Sequence, residues 1–168
     1  MNRHEFIASA TRAAIASSRH SGFPPGMTVA QAALESSWGQ SRLARDAHNY
    51  FGIKAHGDHP RVEYPTREHV GGREERIIAQ FAAYASMEDC FADRDRILLT
   101  APCYAETRAC SGNPDSFARA LAKHWATDPE YAEKLLCVYR DNRLGELDFV
   151  HPTAQSPDSA PGHPPSDS

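Results

Sequence analysis

The chain predicts a mainly helical α+β domain with one small β-hairpin. Apolar residues recur at helical spacing from Phe6 to Ala47 and again from Met87 onward. Only residues 61 to 81 alternate as a strand pair does, around Gly71-Gly72. From His151 the large apolar residues disappear and Pro, Ser, Asp and Gly take over. Such a segment cannot bury enough surface to order itself. Residues 1–150 are therefore read as the domain and 151–168 as a disordered tail.

Asn2 with Glu5 makes a capping box before Phe6, Ile7, Ala10, Ala13 and Ala14, which share a face. Gly22-Phe23-Pro24-Pro25-Gly26 breaks that helix. Thr28 with Gln31 repeats the capping pattern and is expected to open the next helix, with Gly39 closing it. Ser41 to Ala47 fits a short helix. Val62, Tyr64, Thr66 and Glu68 then alternate toward the Gly-Gly turn, and Ile77 and Ile78 lie on the return strand. Helical pattern resumes from Ser86 to Leu99. Asn113-Pro114 starts a helix through Trp125 with Phe117, Leu121 and Trp125 on one face. Thr127-Asp128-Pro129-Glu130 is a further start signal, followed by Tyr131, Leu135 and Val138, with Gly145 as the expected stop. Helices, hairpin, helices is a plan in which the hairpin forms one wall of a cleft.

The 168 residues suffice for one domain with a core, and a net charge of −4 without a basic stripe argues against nucleic acid as partner. No apolar run reaches membrane-spanning length, and Met1 to Ser21 lacks the apolar stretch of a secretory signal. Cys90, Cys103, Cys110 and Cys137 form no CxxC; Cys103 and Cys110 bracket a loop short enough to pair under oxidising conditions, but free thiols are the expectation. His56-Gly57-Asp58-His59 lacks further ligands at a recognisable spacing, so these are read as solvated loop histidines, with neither metal nor cofactor expected.

Glu35 carries the sharpest chemical signal. It ends an apolar helix, with Trp38 three residues on and His48-Asn49-Tyr50-Phe51-Gly52-Ile53-Lys54 close behind. A carboxyl held among apolar groups resists ionisation. A Glu still protonated near neutral pH is the proton donor that glycoside cleavage requires. The plainer alternative is a helix-end carboxylate paired with Arg42 or Lys54.

Five segments in order carry a resemblance: Ala32 to Ser41, Asn49 to Lys54, Thr66-Arg67-Glu68, Phe81 to Tyr84, and Trp125 to Leu135. Together they resemble glycoside hydrolase family 73, the bacterial and phage endo-β-N-acetylglucosaminidases that include the peptidoglycan hydrolase domain of the flagellar rod protein. The resemblance implies a lysozyme-like fold, a large α lobe and a small β-hairpin lobe flanking a cleft. It places the general acid on Glu35, the second carboxylate on Glu68 and the active-site tyrosine on Tyr131. It points to Asn49 and Phe51 as cleft residues, and Trp38, Tyr104 and Trp125 offer further flat faces for sugar rings. The hairpin departs from the pattern: Glu63, Glu74 and Glu75 accompany Glu68, with Glu63 the alternative and the other two a solvated charged turn. Tyr50 stands where many members have Leu, and Trp125 where many have Tyr.

The expected reaction is cleavage of the β-1,4 bond after N-acetylglucosamine in peptidoglycan, by a monomer. The alternatives are an N-acetylmuramidase, a lytic transglycosylase, or a glycan-binding module without catalysis. The expected place of action is the cell wall, periplasmic or extracellular, reached without a signal peptide in this chain or as a domain of a larger protein.

Overall fold

A computed structural model describes residues 1–150; the expected tail, 151–168, lies outside the described residues. Within them the order is α1 (Arg3–Ser21), α2 (Pro25–Ser36), α3 (Arg42–Ala47), β1 (Arg61–Val70), β2 (Arg73–Ala82), α4 (Met87–Thr100), a 3-10 turn (Pro102–Tyr104), α5 (Ala105–Ala109), α6 (Pro114–Trp125), α7 (Tyr131–Asp141) and α8 (Gly145–Val150). Every predicted helix and the hairpin are present. The turn and short helix between Pro102 and Ala109 were not predicted.

The α lobe is built around α2. Nearly all of its residues are buried, with α1, α7 and α8 packed on it and α4 on α1. Its sequence, Pro-Gly-Met-Thr-Val-Ala-Gln-Ala-Ala-Leu-Glu-Ser, is mostly small or apolar on every side, as a central helix requires. Gly26 is required by packing: a Cβ there would lie 2.1 Å from the Leu144 carbonyl oxygen. Its N–H instead donates to Asp148 of α8 at 2.7 Å.

Two sequence expectations about helix ends are corrected. Thr28 does not cap α2. Pro25 occupies the first turn, where its missing N–H costs nothing, and the Thr28 hydroxyl donates back to the Pro24 carbonyl at 3.2 Å. Nor does Gly145 end a helix: α7 stops at Asp141 and Gly145 begins α8. The Asn2–Glu5 capping box, and the caps by Ser41, Ser86 and Asn113, form as their side chains allow.

β1 and β2 pair antiparallel from Arg61↔Ala82 to Val70↔Arg73. Gly71 and Gly72 close the turn at φ +58° and +80°, the two left-handed positions that such a tight connection demands. Because strand side chains alternate, Val62, Tyr64, Thr66 and Glu68 share one face with Phe81, Ala79, Ile77 and Glu75. Glu63 and Glu74 project from the other. A bridge between Lys54 and Phe81 ties the hairpin to the preceding loop, and no described helix is long and apolar enough to cross a membrane.

Candidate active site

A groove of about 400 Å³ runs along the α lobe beside the loop that leads to the hairpin. It is lined by Glu35, Phe51, Gly52, Ile53, Lys54, Ile97, Tyr104, Trp125, Ala126 and Tyr131. Glu35 arrives on the last turn of α2, Tyr131 on the first residue of α7, and Trp125 on the last residue of α6.

The Tyr131 hydroxyl donates to Glu35 Oε1 at 2.7 Å, across 96 residues of sequence. Burial raises the Glu35 pKa above the usual carboxyl range, and hydrogen bonds from Tyr131 and Trp125 offset this only in part. The same environment raises the Tyr131 pKa: burial comes first, then the charge and hydrogen bond of Glu35. The phenol therefore remains a donor.

Phe51, Tyr104 and Trp125 shape the floor, with Phe91 buried behind them. Phe51 packs on Phe91 at 4.9 Å between centroids and meets Trp125 edge-on at 6.4 Å. Tyr104 lies 6.1 Å from Trp125. Phe51 and Tyr104 are buried and Trp125 is half-buried, so the groove combines apolar faces with a carboxyl whose pKa burial raises.

Of the residues the sequence singled out, Glu35, Phe51, Tyr104, Trp125 and Tyr131 line the groove together. Glu68 stands at its rim, on the more buried hairpin face, where it accepts from Lys54 Nζ at 3.0 Å. Lys54 itself lines the groove and lies over the Phe81 ring at 4.7 Å. Glu63 faces away and accepts from Gln80 at 2.9 Å.

Asn49 and Trp38 are placed differently from the sequence expectation. Asn49 is 1 % exposed, and its amide is fully engaged. It donates to the Ile53 and Ala82 carbonyls at 2.9 Å and accepts from the N–H groups of Phe51 and Ile53 at 3.3 and 3.1 Å. An Asn side chain has two donors and one accepting oxygen, so nothing remains for a sugar. It builds the loop that presents Phe51 and Lys54. Trp38 packs edge-on against Phe6, 6.0 Å between centroids, under the Arg3 guanidinium at 4.0 Å, and does not line the groove. Ser37, Trp38 and Gly39 all have positive φ, which turns the chain back at the end of α2 and sends the indole toward α1.

Ile97 and Ala126 were not identified beforehand as groove residues. Lys54 lay within a recognised segment, but its side chain has meaning only through Phe81 and Glu68, which the hairpin brings to it. All four cysteines are free.

A family model described as mannosyl-glycoprotein endo-beta-N-acetylglucosaminidase matches residues 11–144. The chain belongs to this glucosaminidase family. It is the family that the five segments resemble, and its members are glycoside hydrolases. The exo-glucosaminidase LytG of Bacillus subtilis is 33% identical over 139 residues, covering 80% of this chain and 49% of LytG. The peptidoglycan hydrolase FlgJ of Escherichia coli K12 is 34% identical over 136 residues, covering 77% of this chain and 44% of FlgJ. The chain thus spans about half the length of the curated relatives it matches. The catalytic domain of the autolysin Auto from Listeria monocytogenes superposes with a TM-score of 0.78 at 28% identity, covering 87% of each chain. The lysozyme-like fold of the family's glucosaminidase domain is thereby shown.

Proposed function

We propose that the protein is a peptidoglycan hydrolase of the cell wall. It cuts the β-1,4 bond between N-acetylglucosamine and N-acetylmuramic acid, with Glu35 as general acid. The observation that carries this reading is the half-buried Glu35 carboxyl, held by Tyr131 in an aromatic-lined groove. The names of LytG and FlgJ support the substrate and the bond.

The glycan strand lies along Phe51, Tyr104 and Trp125, whose apolar faces match sugar rings. Glu35 donates its proton to the glycosidic oxygen as the C1–O bond breaks and positive charge grows at C1. The acetamido oxygen of the same N-acetylglucosamine then attacks C1, and water opens the resulting ring to leave a new reducing end. The Tyr131 hydroxyl steadies the Glu35 carboxylate once its proton has left. Glu68, paired with Lys54, acts from the hairpin as base or electrostatic stabiliser when the rim closes on substrate.

Mass spectrometry of purified peptidoglycan, digested and then reduced with borohydride, tests the bond. Reduced N-acetylglucosamine at the new ends is expected. Reduced N-acetylmuramic acid would make the enzyme a muramidase, and anhydro ends a transglycosylase. Glu35→Gln is expected to abolish release with the fold intact, and full activity in that variant would remove Glu35 as the acid. Glu68→Gln is expected to cost less, since the acetamide supplies the nucleophile; an equal loss would favour a two-carboxylate mechanism.

A further inference from the structure

The two loop histidines are not solvated independently, as their sequence context suggested. They converge on α4. His56 Nε2 lies 3.0 Å from Asp93 Oδ2, and His59 Nε2 lies 3.8 Å from Asp93 Oδ1. One donor atom from each residue fits within 4.8 Å of the others. A tetrahedral ion with bonds of about 2.0–2.1 Å sets its ligand atoms roughly 3.3 Å apart. The observed spacing brackets that value, so side-chain adjustment alone can close it.

The surroundings orient these groups. His56 Nδ1 lies 3.0 Å from the Lys54 carbonyl oxygen, a contact that only an N–H satisfies. The neutral ring therefore carries its lone pair on Nε2, the arrangement that a backbone carbonyl imposes on metal-binding histidines. That lone pair faces the carboxylate, acceptor against acceptor, and needs a positive group beside it. Asp93 is buried and accepts from the Tyr84 hydroxyl at 2.6 Å. Arg96 supplies the positive group here: Nε donates to Asp93 Oδ1 at 2.8 Å and Nη2 to His56 Nε2 at 3.0 Å. Its side chain is half exposed and free to swing into solvent.

We propose that His56, His59 and Asp93 form a binding site for a divalent ion of the zinc class, which enters by displacing the Arg96 guanidinium. Two imidazoles and one carboxylate suit this borderline-soft ion, and the half-exposed histidines leave a fourth position to water. The bound ion ties the loop between Lys54 and Arg61 to α4. Because that loop carries Lys54, and Lys54 holds Glu68, the ion fixes the root of the hairpin at the rim of the groove.

The test is titration of the full chain with zinc alone by calorimetry, and with cobalt(II) by absorption. One saturating equivalent and the visible bands of a tetrahedral cobalt centre are expected. The His56→Gln/His59→Gln double variant should bind at least about 100-fold more weakly, since even supporting groups around a metal are worth 10–100-fold. It removes only partly exposed loop side chains, and circular dichroism checks its fold. Arg96→Gln should bind more tightly than the unaltered chain, because the competing cation is gone. No saturable binding to the unaltered chain would overturn the proposal. So would undiminished binding to the double variant, which would put the ion on the cysteines or other histidines.

Discussion

At the scale of single residues, Glu35 and Tyr131 act as one unit. As the proposed general acid, Glu35 serves only while protonated, so the proposal places activity below its folded-state pKa and loses it as pH rises through that pKa. Burial sets that pKa high and the Tyr131 hydroxyl lowers it in part. Tyr131→Phe therefore has two expected effects. The alkaline limb of the rate profile moves to higher pH, because one group favouring the carboxylate is gone. The maximal rate falls by about 100-fold, the typical cost of one donor to a developing negative charge. A pH profile of glycan cleavage by the variant reads both. A fall in rate with an unmoved limb would mean that Tyr131 serves the substrate and not Glu35. Both residues were legible because each sits in a distinctive short segment. Asn49 was legible as important but misassigned: sequence shows a polar residue among aromatics, and only the folded loop shows that its amide is already engaged.

At the scale of elements, the segment from Asn49 to Ile53 belongs to no helix or strand and takes four of its hydrogen bonds from the Asn49 amide. Asn49→Ala would take one donor from the Ile53 and Ala82 carbonyls, the first of which keeps the Ala82 N–H, and would leave the N–H groups of Phe51 and Ile53 unsatisfied in a buried place. Each costs about 1–3 kcal/mol when no water replaces the partner, and relaxation recovers part. A net loss of about 3 kcal/mol is expected, lowering Tm by roughly 10 °C in a domain of this size. Thermal unfolding measures it, and a loss below about 1 kcal/mol would show that the loop stands without its central amide. The hairpin was readable because alternation and Gly-Gly are local signals. The ends of α2 were less so. A Pro in the first turn and a left-handed Ser37 at the far end did what Thr28 and Gly39 seemed designed to do, since either solution satisfies the same backbone groups.

At the scale of the whole molecule, the α lobe is joined by a charge that no sequence pattern announces. Arg94 is fully buried on α4. It donates to Asp95 at 2.7 Å, to Gln31 Oε1 at 2.9 and 2.6 Å, and to Thr28 at 3.2 Å, while Asp95 accepts from Ser21 at 2.6 Å. One guanidinium thus links α4 to α2 and to the end of α1. Gln31 lies four residues before Glu35, on the same side of α2. The partners are separated by 63 and 66 residues, so composition and periodicity could not connect them. Arg94→Met keeps bulk but removes the charge, leaving Asp95 buried and short of a partner. Breaking such a pair costs about 3–5 kcal/mol, whereas replacing both members is often nearly neutral. Urea denaturation should therefore show a large loss for Arg94→Met and a clearly smaller one for Arg94→Met/Asp95→Asn, in which Ser21 can still donate to the amide oxygen. Equal losses would place the cost in Gln31 and Thr28, and make the arginine chiefly the organiser of α2. In that case Arg94→Met should also slow glycan cleavage, because the helix that carries Glu35 would have lost its fixed contact with α4.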